Sequence, residues 1–328
     1  MPAFKFTKVN PGDVLTIDYD LSSIGEFAKI KEAILSAGIT GTWSSDYKKF
    51  TVNTISGNST IDLIVNKYGV DIDFSSLSLN DTFYLGKYQV ASETPWDIEW
   101  EIVHQESNYQ IAMAKQIIDL RCFDAKESSN SDSDRKTKGN NNWGVSNIEQ
   151  WLNSDQSNWY SAQHSADALP SSANVYDNYN PYDTKPGFLY YWSDEEKAVL
   201  QDMTLTLANN TATDGGGSYT WTGKVWLPTY TQMSRSKNNN ISEGTQFSKF
   251  TDDNSRIKTL HAMCAANNQY CIDKGKTEGT ALEYLQSSAS PSDSYFSRCV
   301  SSDGTPVYTY DSAYIGRIGL APCIRLPR

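Results

Sequence analysis

The chain closes with Ser294-Tyr-Phe-Ser-Arg298-Cys, then Ser302-Asp-Gly-Thr305, then Tyr308-Thr-Tyr310, then Ile315-Gly-Arg-Ile-Gly-Leu-Ala-Pro-Cys-Ile-Arg325-Leu. The simplest reading is a strand, a polar turn, a second strand and a last strand that ends the fold. Asp303-Gly304 is a tight-turn pair between two β-rich runs. Val307, Tyr308, Thr309 and Tyr310 are strong strand formers.

Working outward, more strand-like runs precede this closing segment. They are Thr82–Gly86, Trp96–His104, Tyr109–Lys115 and Ile117–Phe123. Ser146-Asn-Ile-Glu149 reads as a capping box that opens a short helix with Ile148, Trp151 and Leu152 on one face. Asp194-Glu195-Glu196 fits the first turn of a capped helix, where acids complement the helix dipole. Gly215-Gly-Gly217 marks a turn between strands. Asp252–Ala266 reads as a helix with Ile257, Leu260, Met263 and Cys264 on one side. Ser128–Asn142 reads as a mobile polar loop, and Ser161–Pro186 as a Tyr/Asn/Asp/Ser-rich insertion.

Residues 1–75 read as a separate small α/β module. Ser23-Ile-Gly-Glu26 has the form of a capping box. Phe27, Ile30, Ile34 and Leu35 share a face at helical spacing, and Gly38 stands where a helix would stop. Trp43 to Val52 suggests a strand or hairpin. Ile61–Tyr68 suggests a second short helix closed by Gly69.

The 328 residues carry a net charge of −11, so a nucleic-acid partner, which needs a basic face, is not expected. The one dense basic run, Arg135-Lys-Thr-Lys138, reads as part of the solvated loop. No apolar signal core follows Met1 and no apolar run approaches a membrane span, so neither export nor membrane insertion is expected. Nine Trp and 20 Tyr serve either as core or as a binding surface. The five cysteines, Cys122, Cys264, Cys271, Cys299 and Cys323, read as buried reduced thiols, although Cys299 and Cys323 lie on expected neighbouring strands and could approach.

A catalytic or metal site is not legible. His104, His164 and His261 stand apart, without a zinc motif. There is no Gly-x-Ser-x-Gly elbow and no phosphate loop. Asp97, Glu99 and Glu101 alternate along one strand and would share a face. A pocket there would raise a glycosidase-like possibility, while a solvent edge would not. Asp132, Asp134, Asp252 and Asp253 are loop acids, but no Glu-Pro-Asn with Trp-Asn-Asp pair is present, so calcium-dependent sugar binding is not expected. No cofactor is expected.

The order of short motifs from about residue 80 to 328 carries a resemblance. Asp119-Leu-Arg-Cys-Phe-Asp124, Asn141-Asn-Trp143, Ile148-Glu-Gln-Trp151-Leu-Asn153, Lys224-Val-Trp226-Leu-Pro-Thr229, Tyr295-Phe-Ser-Arg298 and Gly319-Leu-Ala-Pro322-Cys-Ile-Arg325 recur in that order. Together they resemble a bacterial and phage family known only as a domain of unknown function. That family is related in fold to formylglycine-generating enzymes and to phage variable receptor-binding proteins. The resemblance implies an α+β fold: a C-type lectin-like domain over 80–328, preceded by the small α/β domain of 1–75. Formylglycine-generating relatives use cysteines near the C-terminus, but the Arg/Gly/Ser-rich context of that site is missing around Cys299 and Cys323.

The resemblance further implies a phage virion protein, at the tail tip or decorating the capsid, made in the host cytoplasm. The N-terminal domain would anchor it to other virion proteins as a homo-oligomer. The lectin-like domain would adhere to a host-surface glycan or protein. Trp221, Tyr308, Tyr310, Asp311 and Tyr314, on or beside the closing strands, are the expected contact set, since Tyr and Trp give large rigid contact area with a polar tip. A cytoplasmic bacterial protein of the same family with a protein partner is the alternative. A glycan-processing or formylglycine-generating enzyme is the third reading, and no catalytic residue is assigned.

Overall fold

The structure is a computed structural model. It describes the strands of the first 66 residues at the level of their backbone, and residues 72–233, 237–306 and 311–328 in full. The chain divides into two compact units, residues 1–77 with 81–85, and residues 78–80 with 86–328.

In the first unit the described elements before residue 72 are strands: β1 (Ala3–Phe6), β2 (Val14–Thr16), β3 (Lys29–Leu35), β4 (Thr40–Trp43), β5 (Lys49–Thr54) and β6 (Ile61–Asn66). They form two antiparallel three-stranded sheets, β1-β6-β3 and β2-β5-β4. Two helices expected from sequence are therefore strands, at Lys29–Leu35 and at Ile61–Asn66. The register of β3 on β6 shifts between Ile30 and Glu32. A bulge of this kind adds a residue to one strand, and the four-residue spacing of Ile30 and Ile34 fits a helix face and an alternating strand alike, so the pattern did not distinguish the two. The hairpin expected between Trp43 and Val52 is present as β4 and β5. The Ser23–Glu26 motif lies outside the described residues.

Further along the chain come β7 (Thr82–Tyr88), β8 (Trp96–Gln105), β9 (Tyr109–Ala114), β10 (Asp119–Arg121), β11 (Met203–Ala208), β12 (Ser218–Gly223), β13 (Val225–Trp226), β14 (Tyr284–Ala289), β15 (Phe296–Val300), β16 (Asp311–Ser312), β17 (Ile318–Leu320) and β18 (Cys323–Pro327). The helices are short: α1 (Ser133–Lys138), α2 (Asn147–Leu152), α3 (Asp194–Ala198), α4 (Asp253–Arg256), α5 (Ala262–Asn267) and α6 (Gln269–Asp273). One five-stranded sheet runs β13-β18-β9-β8-β7, the other β10-β17-β14-β15-β16, and β11 and β12 form a hairpin.

The closing strand β18 lies antiparallel to β9, with Pro327 opposite Tyr109 and Cys323 opposite Met113. The last strand thus lies inside its sheet, between β9 and β13, and a long, mostly irregular run separates β10 from β11. β14 is buried along its whole length and pairs with β17 in parallel and with β15 antiparallel.

Side-chain patterns explain the local choices. Met203, Leu205 and Leu207 of β11 turn inward while Thr204 and Thr206 stay exposed, the period of two that a half-buried strand requires. Gly215, Gly216 and Gly217 all have positive φ, which lets the hairpin between β11 and β12 close without a Cβ clash. α3 has its full capping box between Ser193 and Glu196. α2 has only half of one. Ser146 accepts from the Glu149 amide, but the Glu149 carboxylate turns to Trp221 instead.

The helix expected over 252–266 is broken. Ile257 adopts an extended conformation after α4, and Leu260 bridges to Ile117. Ser128–Asn142 is ordered, not a free loop. Asp132 caps α1 through the amides of Asp134 and Arg135. Arg135, expected in solvent, is buried and grips Asp214 through two hydrogen bonds of 2.7 and 2.8 Å.

Seven tryptophans, at 100, 143, 151, 159, 192, 221 and 226, are buried. At roughly 1.5–3 kcal/mol per buried large side chain they dominate the core. The surface aromatics are mainly tyrosines, with Tyr176 and Tyr190 exposed. All five cysteines are free and buried. Cys299 on β15 and Cys323 on β18 belong to different sheets. Among the described residues no helix is long and apolar enough to cross a membrane.

Candidate functional site

The described residues contain a cleft of about 300 Å³ lined by Tyr88, Gln89, Ala91, Trp151, Pro181, Thr184, Lys185, Pro186, Gly187, Phe188 and Tyr191. Three chain segments meet there: the end of β7, the inner face of α2, and the run from Pro181 to Tyr191. α2 presents Trp151 because Ile148, Trp151 and Leu152 share its buried face. The Trp151 Nε1 donates to the Pro186 carbonyl at 2.9 Å, which fixes the indole against the third segment. Gly187 allows that approach. A Cβ there would stand 2.3 Å from the Ser154 carbonyl oxygen.

The floor is aromatic. Tyr88 packs edge-on to Trp151 at 6.1 Å and lies 5.7 Å from Phe188, and Trp151 meets Phe188 at 5.7 Å. Beneath it, Tyr88 Oη donates to the buried Asp119 carboxylate, which pairs with buried Arg121 and accepts from Asn268 Nδ2 at 2.7 Å. Burial, then the Asp119 charge, hold the Tyr88 phenol well above its usual pKa, so it stays protonated. This network fixes Tyr88, the Pro186 bond fixes Trp151, and ring packing holds Phe188 between them, so the base is preorganised.

The wall supplies polar groups. Tyr191 Oη donates to Gln89 Oε1 at 2.6 Å. The Lys185 ammonium donates to the Val90 carbonyl. Burial, reinforced by nearby Arg121, lowers the Lys185 pKa to about 8. Tyr88, Trp151 and Phe188 are themselves buried, so the cleft offers the half-buried Tyr191 ring and phenol, an amide and an amine at its rim. Such a set can hydrogen-bond a hydroxyl-bearing ligand beside the Tyr191 ring.

The sequence-predicted contact residues do not form this cleft. Trp221 is interior: its Nε1 donates to Glu149 Oε1 at 2.9 Å and its ring meets Trp143 edge-on at 5.7 Å. Asp311, half-buried on β16, faces Glu283, whose carboxyl burial and the Asp311 charge push up to about 7. Tyr314 is half-buried against Tyr176 at 5.4 Å. Tyr308 and Tyr310 lie outside the described residues. The cleft residues Tyr88, Gln89, Lys185 and Tyr191 were not legible as a site. The aromatic run Phe188-Leu-Tyr-Tyr191-Trp192, directly after Lys185-Pro-Gly187, is the one signal that pointed to them.

The β8 acids do not form a carboxylate pocket. Asp97 pairs with Lys87 at 3.6 Å, Glu99 with Lys115 at 3.0 Å and Glu101 with Lys249 at 2.6 Å. The histidines serve separate local roles. His104 bridges Ser248 and Glu106, His164 pairs with Glu127 at 2.9 Å, and His261 caps α5 and stacks on Trp96 at 4.0 Å. No group of three His, Cys, Asp or Glu among the described residues is placed to hold a metal.

Comparison with known proteins gives one match. Residues 108–328 match DUF6273, described as a domain of unknown function. No curated protein and no solved structure matches the chain.

Proposed function

The chain belongs to the DUF6273 family, and we propose that in this member residues 86–328 are a C-type lectin-like binding module that seats a saccharide in the aromatic cleft. The observation that carries this reading is the rim of Gln89, Lys185 and the half-buried Tyr191 ring, set on a rigid, buried aromatic base of Tyr88, Trp151 and Phe188. A pyranose has an apolar face that stacks on aromatic rings and hydroxyls that bond to amide, phenol and amine groups. Rigid aromatics offer that contact at low entropic cost. The lectin-like assignment is supported by the closing strand β18 pairing within the sheet of the domain's early strands, next to β9, and by the long excursion between β10 and β11 that builds the cleft.

We place the protein on a phage virion, with residues 1–75 as the anchor to neighbouring virion proteins and the cleft as the adhesive surface. The resemblance to phage receptor-binding domains supports this placement. The lysine pairing of Asp97, Glu99 and Glu101 favours binding over hydrolysis, since glycoside cleavage needs an acid and a base free to exchange protons.

The test is incubation of the pure protein with bacterial envelope polysaccharide, measuring retention and chain length together. Retention at unchanged chain length is expected, and progressive shortening would replace the binder with an enzyme. Mass spectrometry of purified particles tests the placement, which their lack of this chain would overturn.

A further inference from the structure

A second groove is lined by basic residues on an acidic chain. On a chain of net charge −11, one shallow groove of about 430 Å³ is lined by Lys126, Ser128, Lys136, Thr137 and Tyr314, with no carboxylate among them. Local chain geometry produces this. Lys126 and Ser128 line the groove, while Glu127 between them is fully buried, accepting from Asn130 and Asn140 and facing His164 at 2.9 Å.

On α1, Asp134 is occupied by Lys138 at 2.7 Å, and that ammonium sits 3.9 Å over the Tyr295 ring. Lys126 and Lys136 make no ion pair with any described residue. Thr137 Oγ1 donates back to the Ser133 carbonyl at 3.1 Å, so its lone pairs remain open. The Tyr314 amide donates to the Lys138 carbonyl at 3.0 Å, which ties the groove's aromatic wall to α1. Tyr176 holds the Tyr314 ring edge-on. The nearby Asp177 acts on the Tyr314 phenol, which burial, Tyr176 and then Asp177 keep protonated.

We propose that this groove is a subsite for an acidic sugar unit, its anionic group held between the Lys126 and Lys136 ammonium groups and its ring resting on Tyr314. The ring contact rests on the saccharide reading above; the charge contact does not. Two cations with no ion pair among the described residues, lining a groove with an aromatic wall and two hydroxyls, suit a carboxylate or phosphate carried on a sugar. The molecule's overall negative charge works against any diffuse attraction of anions, so selectivity must come from the groove itself. The anionic group can come from a uronic acid or from a phosphodiester-linked chain, and both are probed.

The experiment is calorimetric titration of the full chain with three chains: oligogalacturonate, oligo(glycerol phosphate) and a neutral oligoglucan. The proteins are the natural chain, the double variant Lys126→Glu/Lys136→Glu, and the cleft variant Tyr191→Ala. At least one anionic chain should bind the natural protein at least tenfold more tightly than the neutral chain, and its binding should weaken as salt rises. The double variant should lose that preference at least tenfold while its melting temperature and its neutral-chain binding stay unchanged. Uronate alone, phosphate alone or both then identify the group recognised. Equal binding of anionic chains by the double variant overturns the subsite, as does the lack of any anionic preference. Tyr191→Ala separates the two readings: it should weaken neutral and anionic chains together, leaving the preference between them intact.

Discussion

Replacing Glu149 with Gln should stabilise the protein at neutral and alkaline pH. The Glu149 carboxylate accepts from Trp221 Nε1 at 2.9 Å and from Asn153 Nδ2 at 3.2 Å, with no cation beside it among the described residues. Burial pushes its pKa from 4.5 to about 7, and the Trp221 hydrogen bond offsets only part of that. A carboxyl whose pKa is raised on folding makes the native state bind more protons than the unfolded chain between about pH 4.5 and 7. Stability from this group is therefore complete below that window and is lost as pH rises through it. At about 1.4 kcal/mol per tenfold change, the rise from 4.5 to about 7 makes the loss about 3.5 kcal/mol above pH 8. Gln keeps the acceptor oxygen for Trp221 and Asn153 and carries no charge to desolvate. Denaturant unfolding at pH 4.5 and pH 8.5 checks this. The variant should match the natural chain at pH 4.5 and exceed it by about 1–3 kcal/mol at pH 8.5, several degrees in melting temperature for a unit of this size. A variant less stable at pH 8.5, or one offset equally at both pH values, would mean that the carboxylate is not desolvated in this way.

Gly86→Ala should cost about 3 kcal/mol by thermal or chemical unfolding, because Gly86 has φ of +65° and a Cβ would lie 2.0 Å from the Trp192 ring; a near-neutral result would show that Trp192 can move aside. Arg135→Met should cost about 3 kcal/mol by stranding the half-enclosed Asp214 carboxylate, whereas exposed Lys136→Ala should change stability by less than about 0.5 kcal/mol. The native protein should not react with Ellman's reagent until unfolded, since all five thiols are buried and burial raises the pKa of Cys122, Cys299 and Cys323; rapid release from the folded state would contradict that burial.

The sequence was most legible where structure is local. The alternation of β8, the capped helix opened by Asp194-Glu195-Glu196 and the glycine turn at 215–217 are each set by a few adjacent residues, and each reads correctly. It failed where a distant partner decides. The polar run 128–142 looks disordered by composition, yet Asp214, 79 residues from Arg135, orders it. Glu149 matches a capping box, yet Trp221, 72 residues away, takes its carboxylate. Ile30 and Ile34 are four apart, a spacing that a helix face and an alternating strand share, so it could not decide β3. The cleft was hidden for the same reason. Tyr88, Trp151 and Lys185 are separated by 63 and 34 residues and carry no shared motif, so only the tertiary fold brings them together.

The central claim is that the aromatic cleft binds saccharide. Calorimetric titration of a neutral oligosaccharide panel into the full chain, alongside Tyr191→Ala and Gln89→Ala, tests it most directly. The account predicts saturable binding to at least one member, weakened at least tenfold in both variants with little change in melting temperature. Saturable binding that both variants retain in full, or no binding across the panel, would contradict it.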